Sequence, residues 1–181
     1  MRAMTDLARE YSQVDALHGG LPDFPRSFTG KGVLIGVIDT GFDFMHPAFR
    51  DAEGNSRIVH VWDQSGRNGN TPSMGYGVVF DTPELIRSAA HDVSRDTHGT
   101  HVAAIAASSA DVYKGMAPES DIVVVATDKS ESGIIDALAY LLDYAEKEKK
   151  PIAINLSMGT VIGFKDCLLY TSPSPRDSTS S

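Results

Sequence analysis

Short apolar runs separated by polar segments dominate the chain. Four runs of four to six residues, at 33–38, 58–62, 122–125 and 152–156, consist largely of Val, Ile and Leu. Continuous apolar runs of this length, bounded by polar residues and turn signals, are typical of strands buried on both faces of a parallel sheet. The pattern therefore predicts four buried strands.

Helical signals lie between these runs. Thr82 followed by Pro83 predicts an N-cap and the first position of a helix that extends to about residue 91. A stretch of small apolar residues predicts a second helix over 98–108, and Ser132 or Gly133 opens a third. One face of the third helix carries Ile134, Leu138, Leu141 and Ala145.

Strands that alternate with helices predict an α/β fold with three layers, a mainly parallel sheet flanked by helices. Residues 64–81 are rich in Gly, Asn and Ser and predict a loop. No apolar run reaches the length of a membrane span, and the N-terminal segment lacks the apolar centre of a signal peptide.

The overall charge limits the classes of partner. The formal net charge is −8, with no stripe of Lys and Arg to neutralise phosphates, which argues against nucleic acid as a partner. The single cysteine, Cys167, excludes an intrachain disulfide.

Two polar motifs stand beside the apolar runs. Asp39 ends the first run and is followed by Thr40 and Gly41, so its carboxylate lies at the carboxyl edge of the predicted sheet, where α/β proteins place their sites. His98 opens the small-residue helix in the segment Asp96-Thr-His-Gly-Thr-His-Val-Ala, where Asp96 or Thr97 can cap the helix. Taken singly, Asp39 could merely cap its own turn and His98 could be a surface residue.

Together the two motifs resemble the Asp and His signatures of the subtilase family of serine proteases. The resemblance covers roughly residues 29–163 and includes four weaker matches in the order of the family. These are Thr29-Gly-Lys-Gly-Val33, Asp43 with His46 and Pro47, Lys114-Gly-Met-Ala-Pro118, and Ile154-Asn-Leu-Ser-Met-Gly159. It implies a subtilisin-like fold that is incomplete at its C-terminal side.

The resemblance also implies roles for individual residues. Asp39 would orient and stabilise His98, and His98 would take a proton from a Ser hydroxyl and pass it to the leaving amine. Ser157, Met158 and Gly159 would pair with an extended peptide substrate, facing residues 127–132 across the cleft.

The nucleophile has no match in these 181 residues, because the family's Gly-Thr-Ser-x-Ala-x-Pro motif does not occur. The oxyanion-hole Asn has no match either, since Asn155 does not fall at that position. The chain is therefore expected to be a fragment of a serine endopeptidase that is inactive alone. The alternative is a degenerate subtilase that only binds peptides.

Three segments follow from this interpretation. Residues 1–28 are an N-terminal extension, and residues 29–166 are a partial subtilase catalytic domain. Residues 167–181 lack periodicity, and eleven of them, 167–177, fit one reading frame through an adapter used in transposon-based sequencing libraries, so this tail is interpreted as non-native.

The resemblance implies no cofactor for the chemistry, a peptide or protein substrate, and a secreted or cell-envelope location; we expect a monomer. A structural calcium ion stays open at this stage. Ala48 stands where the family's calcium site usually has an Asp, and the segment 108–114 is short, which argues against such a site.

Two other chemistries fit parts of the motifs. Asp39-Thr-Gly also resembles the motif of aspartic proteases, but these use two carboxylates, and no second Asp-Thr-Gly or Asp-Ser-Gly occurs. His98 and His101 with Asp39 could hold a metal ion, although a His-Glu-x-x-His motif is absent.

Overall fold

The computed structural model describes residues 4–20, 26–68, 70–94 and 96–158. The helices are α1 (Met4–Tyr11), α2 (Val14–Gly19), α3 (Pro83–Ala89), α4 (His98–Ala107) and α5 (Glu131–Glu148), and a 3₁₀ turn covers Pro47–Phe49. The strands are β1 (Leu34–Asp39), β2 (Ile58–Asp63), β3 (Val78–Phe80), β4 (Asp121–Ala126) and β5 (Ile152–Leu156).

The five strands form one sheet in the order β3-β2-β4-β1-β5. β1 pairs in parallel with both β4 and β5, β2 pairs in parallel with β4, and β3 is antiparallel to β2. The predicted α/β fold with a mainly parallel sheet is confirmed. Asp39 and Asp63 both pair with Ala126, so the ends of β1 and β2 lie at the same edge of the sheet.

Two apolar cores lie on opposite faces of the sheet, which gives three layers. Val37 of β1 points into the core that includes Ala103 and Ala107 of α4. Ile38, the next residue, points into the other core, which includes Leu141 of α5. Such alternation is the consequence of the two-residue period of a strand.

α5 begins earlier than the sequence predicts, and its buried face coincides with the predicted one only at Leu141 and Ala145. Ser130 is its N-cap, and its Oγ accepts a hydrogen bond from the main-chain N–H of Gly133 at 2.9 Å. The buried positions are Gly133, Ala137, Leu141 and Ala145, whereas Ile134 and Leu138 are only partly buried. Tertiary contacts set this orientation: Leu141 fits against β1 because Gly36 has no Cβ, which would lie 2.9 Å from Leu141 Cδ1, and a Cβ on Gly133 would lie 2.8 Å from Gln64 Oε1.

The segment 64–81, predicted as a loop, contains the short strand β3. The sequence does not predict this strand, because its three residues form too short an apolar run among Gly, Asn and Ser. The strand forms through its pairing with β2, which is a tertiary contact. The helix that follows starts as predicted, because Thr82 Oγ1 accepts a hydrogen bond from Leu85 N at 3.3 Å. It ends at Ala89 because Ala90 has a φ of 62°.

The N-terminal helices attach to the loop between α4 and β4. Arg9 Nη1 donates to the carbonyl oxygen of Lys114 at 2.7 Å, and His18 Nε2 lies 2.9 Å from the carbonyl oxygen of Met116. The boundary predicted at residue 28 stays a prediction. The tail 167–181 lies outside the described residues.

Candidate active site

Asp39 stands at the carboxyl end of β1 and is almost completely buried, with 2% of its surface exposed. Its Oδ1 accepts a hydrogen bond from the main-chain N–H of Thr40 at 2.7 Å. Its two carboxylate oxygens both lie 2.9 Å from Nδ1 of His98. The carboxylate is thereby held in one orientation, aimed at the imidazole.

His98 is the first residue of α4, and its side chain remains 48% exposed. Because Nδ1 faces Asp39, Nε2 is the ring nitrogen left to exchange a proton with another group. The contact between Asp39 and His98 that the sequence predicts is present. A buried carboxylate behind a half-exposed imidazole is the arrangement that a general base requires.

The first turn of α4 is fastened to the turn that follows β1. Gly99 N donates to Thr40 O at 2.7 Å, and Thr100 N donates to Gly41 O at 3.0 Å. The Thr100 hydroxyl also donates to Gly41 O at 2.9 Å and accepts from Asp43 N at 2.7 Å. These bonds join the two motifs directly, so the position of His98 relative to Asp39 is set by main-chain contacts.

Gly41 permits this close approach. Its φ is +82°, and a Cβ at this position would lie 2.5 Å from the carbonyl oxygen of Asp96 and 2.8 Å from Thr97 N. An L side chain is therefore excluded both by backbone conformation and by space. Asp96 caps the helix start, since its Oδ1 accepts hydrogen bonds from the main-chain N–H groups of Thr97 and His98, whereas Thr97 makes no side-chain cap.

A second buried carboxylate, Asp92, supports the same turn. Its Oδ2 accepts from Gly41 N at 2.8 Å and its Oδ1 accepts from Phe42 N at 3.2 Å. Burial raises the pKa of Asp92, although these main-chain donors oppose the shift. The sequence carries no signal for this role of Asp92, because Asp92 lies in a segment without periodicity and its partners are about fifty residues away.

The predicted substrate-binding residues follow β5. Ile38 pairs with Leu156 and Asp39 with Ala126, so the segments that start at Ser157 and Thr127 flank the end of β1 on its two sides. Ser157 is exposed and its Oγ lies 2.9 Å from Asn155 Nδ2, whereas Met158 packs against the α5 core. Gly159 lies outside the described residues.

A metal centre is one of the two other chemistries that fit parts of these motifs. Across residues 4–20, 26–68, 70–94 and 96–158, no group of three or more His, Cys, Asp or Glu side chains is arranged to hold a metal ion. His101 is exposed on α4, one turn beyond His98. The described geometry therefore offers the Asp39–His98 pair as its candidate catalytic feature.

Comparison with known proteins identifies the family of this chain. The model of the subtilase family of peptidases matches residues 30–181. The chain belongs to the subtilase family. A subtilisin-like protease, PopC of Myxococcus xanthus, is 32% identical over 139 residues, which cover 72% of this chain and 25% of PopC. An intracellular serine protease of Paenibacillus polymyxa is 31% identical over 133 residues, 72% of this chain and 34% of the relative.

The solved structure of the Clostridium perfringens CspB protease is similar in fold. It aligns with a TM-score of 0.61 and 32% identity over 75% of this chain and 30% of that protein. This subtilase chain thus spans between a quarter and about a third of the length of these relatives.

Relatives differ in where they are found. The Paenibacillus protein is named intracellular, whereas a Serratia marcescens relative is named extracellular. The family alone therefore does not fix a compartment. Among the helices in the described ranges, none combines the length and the apolar character needed to cross a bilayer.

Proposed function

We propose that this chain supplies the aspartate and the histidine of an Asp-His-Ser triad to a serine endopeptidase, and that the serine is supplied by a part of the protein outside these 181 residues. The observation that carries the proposal is the 2.9 Å contact between the buried Asp39 carboxylate and Nδ1 of the half-exposed His98.

The first half of the reaction uses both nitrogens of the imidazole. His98 Nε2 accepts the proton of the serine hydroxyl while the serine oxygen forms a bond to the carbonyl carbon of the scissile peptide. The Asp39 carboxylate accepts the hydrogen bond of Nδ1–H, which fixes the tautomer and stabilises the imidazolium that forms. Asp39 itself is not protonated in this step.

The second half returns the proton. The imidazolium of His98 donates it from Nε2 to the leaving amine nitrogen as the carbon–nitrogen bond breaks, which leaves an acyl-enzyme. Water then attacks the acyl carbon while His98 Nε2 takes its proton. The bond from the acyl carbon to the serine oxygen breaks, His98 returns the proton to that oxygen, and the carboxylic acid product leaves. The proton transfers and bond changes involve only these three side chains, water and the substrate, so we propose that no cofactor takes part.

The substrate would lie as an extended peptide between two segments. Ser157 to Gly159 would form one side of the cleft, and the loop that begins at Thr127 would form the other. Support for this comes from the sheet, because β5 and β4 flank β1 in parallel and their carboxyl ends fall on the two sides of Asp39.

The test is hydrolysis of casein by the complete protein, together with the coding sequence beyond residue 166. We expect a downstream Gly-Thr-Ser motif and hydrolysis that a serine-directed inhibitor abolishes, while the 181-residue chain alone is inert. A complete protein that carries another residue in place of the serine, and that binds peptides without cleaving them, would overturn the proposal in favour of a peptide-binding protein.

A further inference from the structure

One buried amide, that of Gln64, links the end of β2 to the loop between β4 and α5. We propose that Gln64 is a positioning residue that fixes the loop 127–130 and thereby one wall of the substrate cleft. This inference rests on the proposed protease function, because that function makes the loop a cleft wall.

Both the oxygen and the nitrogen of the Gln64 amide have two hydrogen-bond partners each. Only 6% of the residue is exposed. Its Oε1 accepts from the Thr127 hydroxyl at 2.9 Å and from the main-chain N–H of Asp128 at 3.0 Å. Its Nε2 donates to the carbonyl oxygen of Gly133 at 2.7 Å and to the Tyr76 hydroxyl at 3.4 Å.

The orientation of this amide is dictated by its main-chain partners. Asp128 offers an N–H, which only the amide oxygen can accept, and Gly133 offers a carbonyl, which only the amide nitrogen can bind. An amide satisfies both at every pH, whereas a glutamic acid of the same length would do so only while it is protonated. A carboxylate at position 64 would set an oxygen against the Gly133 carbonyl and leave that contact repulsive.

Close packing holds the amide against the start of α5. A Cβ on Gly133 would lie 2.8 Å from Gln64 Oε1. Ser130, the N-cap of α5, closes the loop from its other end, because its N–H and hydroxyl both donate to Asp128 Oδ1. The loop between these two anchors contains Lys129, which has a φ of 66°. Such a left-handed conformation is unfavourable for Lys and persists only where the surroundings enforce it.

The same loop is tied to the catalytic strand. Thr127 N donates to the main-chain carbonyl of Asp39 at 2.9 Å, and Gln64 N donates to Ala126 O at 2.9 Å. Gln64 therefore holds, through its main chain and its side chain, the segment that lies directly beside Asp39. Asp128 and Lys129 are themselves exposed, as residues of a cleft wall must be.

The test measures the complete protease with two substrates, an extended peptide with at least four residues before the cleaved bond and a single-residue activated ester. Only the extended peptide reaches along the wall. At a pH at which the new carboxyl is ionised, we expect Gln64→Glu to lower kcat/KM for the peptide about 10-fold more than for the ester, chiefly through KM, because a buried hydrogen bond is replaced by a repulsive contact. Thr127→Val, which removes one of the two donors to Gln64 Oε1, should show the same selectivity to a smaller degree.

Gln13→Glu is the matched control, because Gln13 is exposed and the chemical change is identical; both substrates should be cleaved as by the wild type. Equal losses for peptide and ester in Gln64→Glu and Thr127→Val, or no loss in either, would overturn this inference and leave the protease function intact. A wild-type protein that cleaves neither substrate would overturn both.

Discussion

The carboxylate of Asp39 and Nδ1 of His98 lie 2.9 Å apart although 59 positions separate the two residues in the sequence. The contact depends on the parallel sheet, which brings Asp39 to its edge, and on the main-chain bonds that fasten the first turn of α4 to Thr40 and Gly41.

Substitutions of Asp39 and His98 test the separate roles of the two side chains, orientation by Asp39 and proton transfer by His98. In the complete protein, Asp39→Asn should lower kcat about 10⁴-fold, because an amide favours the wrong tautomer of the imidazole. His98→Ala should lower kcat about 10⁶-fold, because the general base is lost. Asp111→Asn changes an exposed carboxylate away from the site and serves as the control in the same steady-state assay. Equal activity of His98→Ala and wild type would contradict the assignment.

A substitution at Gly41 tests the main-chain contacts between the first turn of α4 and the turn after β1. Gly41→Ala places a methyl group 2.5 Å from the Asp96 carbonyl oxygen, so the start of α4 must move away from β1. We expect a fall in kcat of at least about 10²-fold, since such small displacements of catalytic groups are costly.

Gly54→Ala separates this steric effect from backbone strain. Gly54 has a similar φ of +87°, but no atom lies within 4 Å of a Cβ there. That variant should lose about 1–2 kcal/mol of stability, by thermal unfolding, and retain wild-type kcat. Comparable kcat losses in the two variants would show that close approach at Gly41 is unimportant.

Because His60 is buried, we expect the stability of the protein to depend on pH in a way that is separate from catalysis. Its ring packs against that of Tyr144, tilted by 33° with ring centroids 4.5 Å apart, and its Nε2 lies 2.7 Å from the Tyr140 hydroxyl. Burial lowers the pKa of His60 from 6.5 to about 4, with Asp81 opposing the shift and Lys147 adding to it. The unfolded chain therefore takes up the proton first as the pH falls. The free energy of unfolding should drop by about 3 kcal/mol between pH 6.5 and pH 4.

Urea unfolding of the complete protein across this pH range measures the effect. His60→Phe keeps the ring packing but cannot titrate, so the free energy of unfolding of this variant should not show the fall of about 3 kcal/mol that His60 causes. His101→Phe alters an exposed histidine and should retain the full decline. Identical pH profiles for wild type and His60→Phe would refute a neutral, buried His60.

The packing of α5 on the sheet can be tested with two adjacent leucines. Leu141 is fully buried against the sheet, whereas Leu142 is 56% exposed. Leu141→Ala should reduce the free energy of unfolding by about 2–5 kcal/mol, because it leaves a cavity next to Gly36. Leu142→Ala should change it by less than about 0.5 kcal/mol. A larger effect at Leu142 would contradict the orientation of the helix.

The sequence predicts those parts of the molecule that local signals encode. Continuous apolar runs mark four of the five strands, and the motifs around Asp39 and His98 predict the contact that the structure contains. Asp92 and Gln64 were not predicted, because their main-chain partners are 50 to 69 positions away and neither residue belongs to a recognisable motif. The predicted buried face of α5 is correct at Leu141 and Ala145, whereas Gly133 and Ala137 are buried in place of Ile134 and Leu138, because tertiary contacts such as that of Gly133 with Gln64 orient the helix.

Covalent labelling of the complete protein with diisopropyl fluorophosphate, followed by peptide mapping, tests the central claim most directly. The reagent phosphorylates a serine only when a neighbouring base activates the hydroxyl, with fluoride as the leaving group. We expect one labelled serine, located outside these 181 residues, and loss of the label in His98→Ala. A label that persists in His98→Ala, or a folded protein that takes up none, would contradict the claim that Asp39 and His98 activate a serine nucleophile.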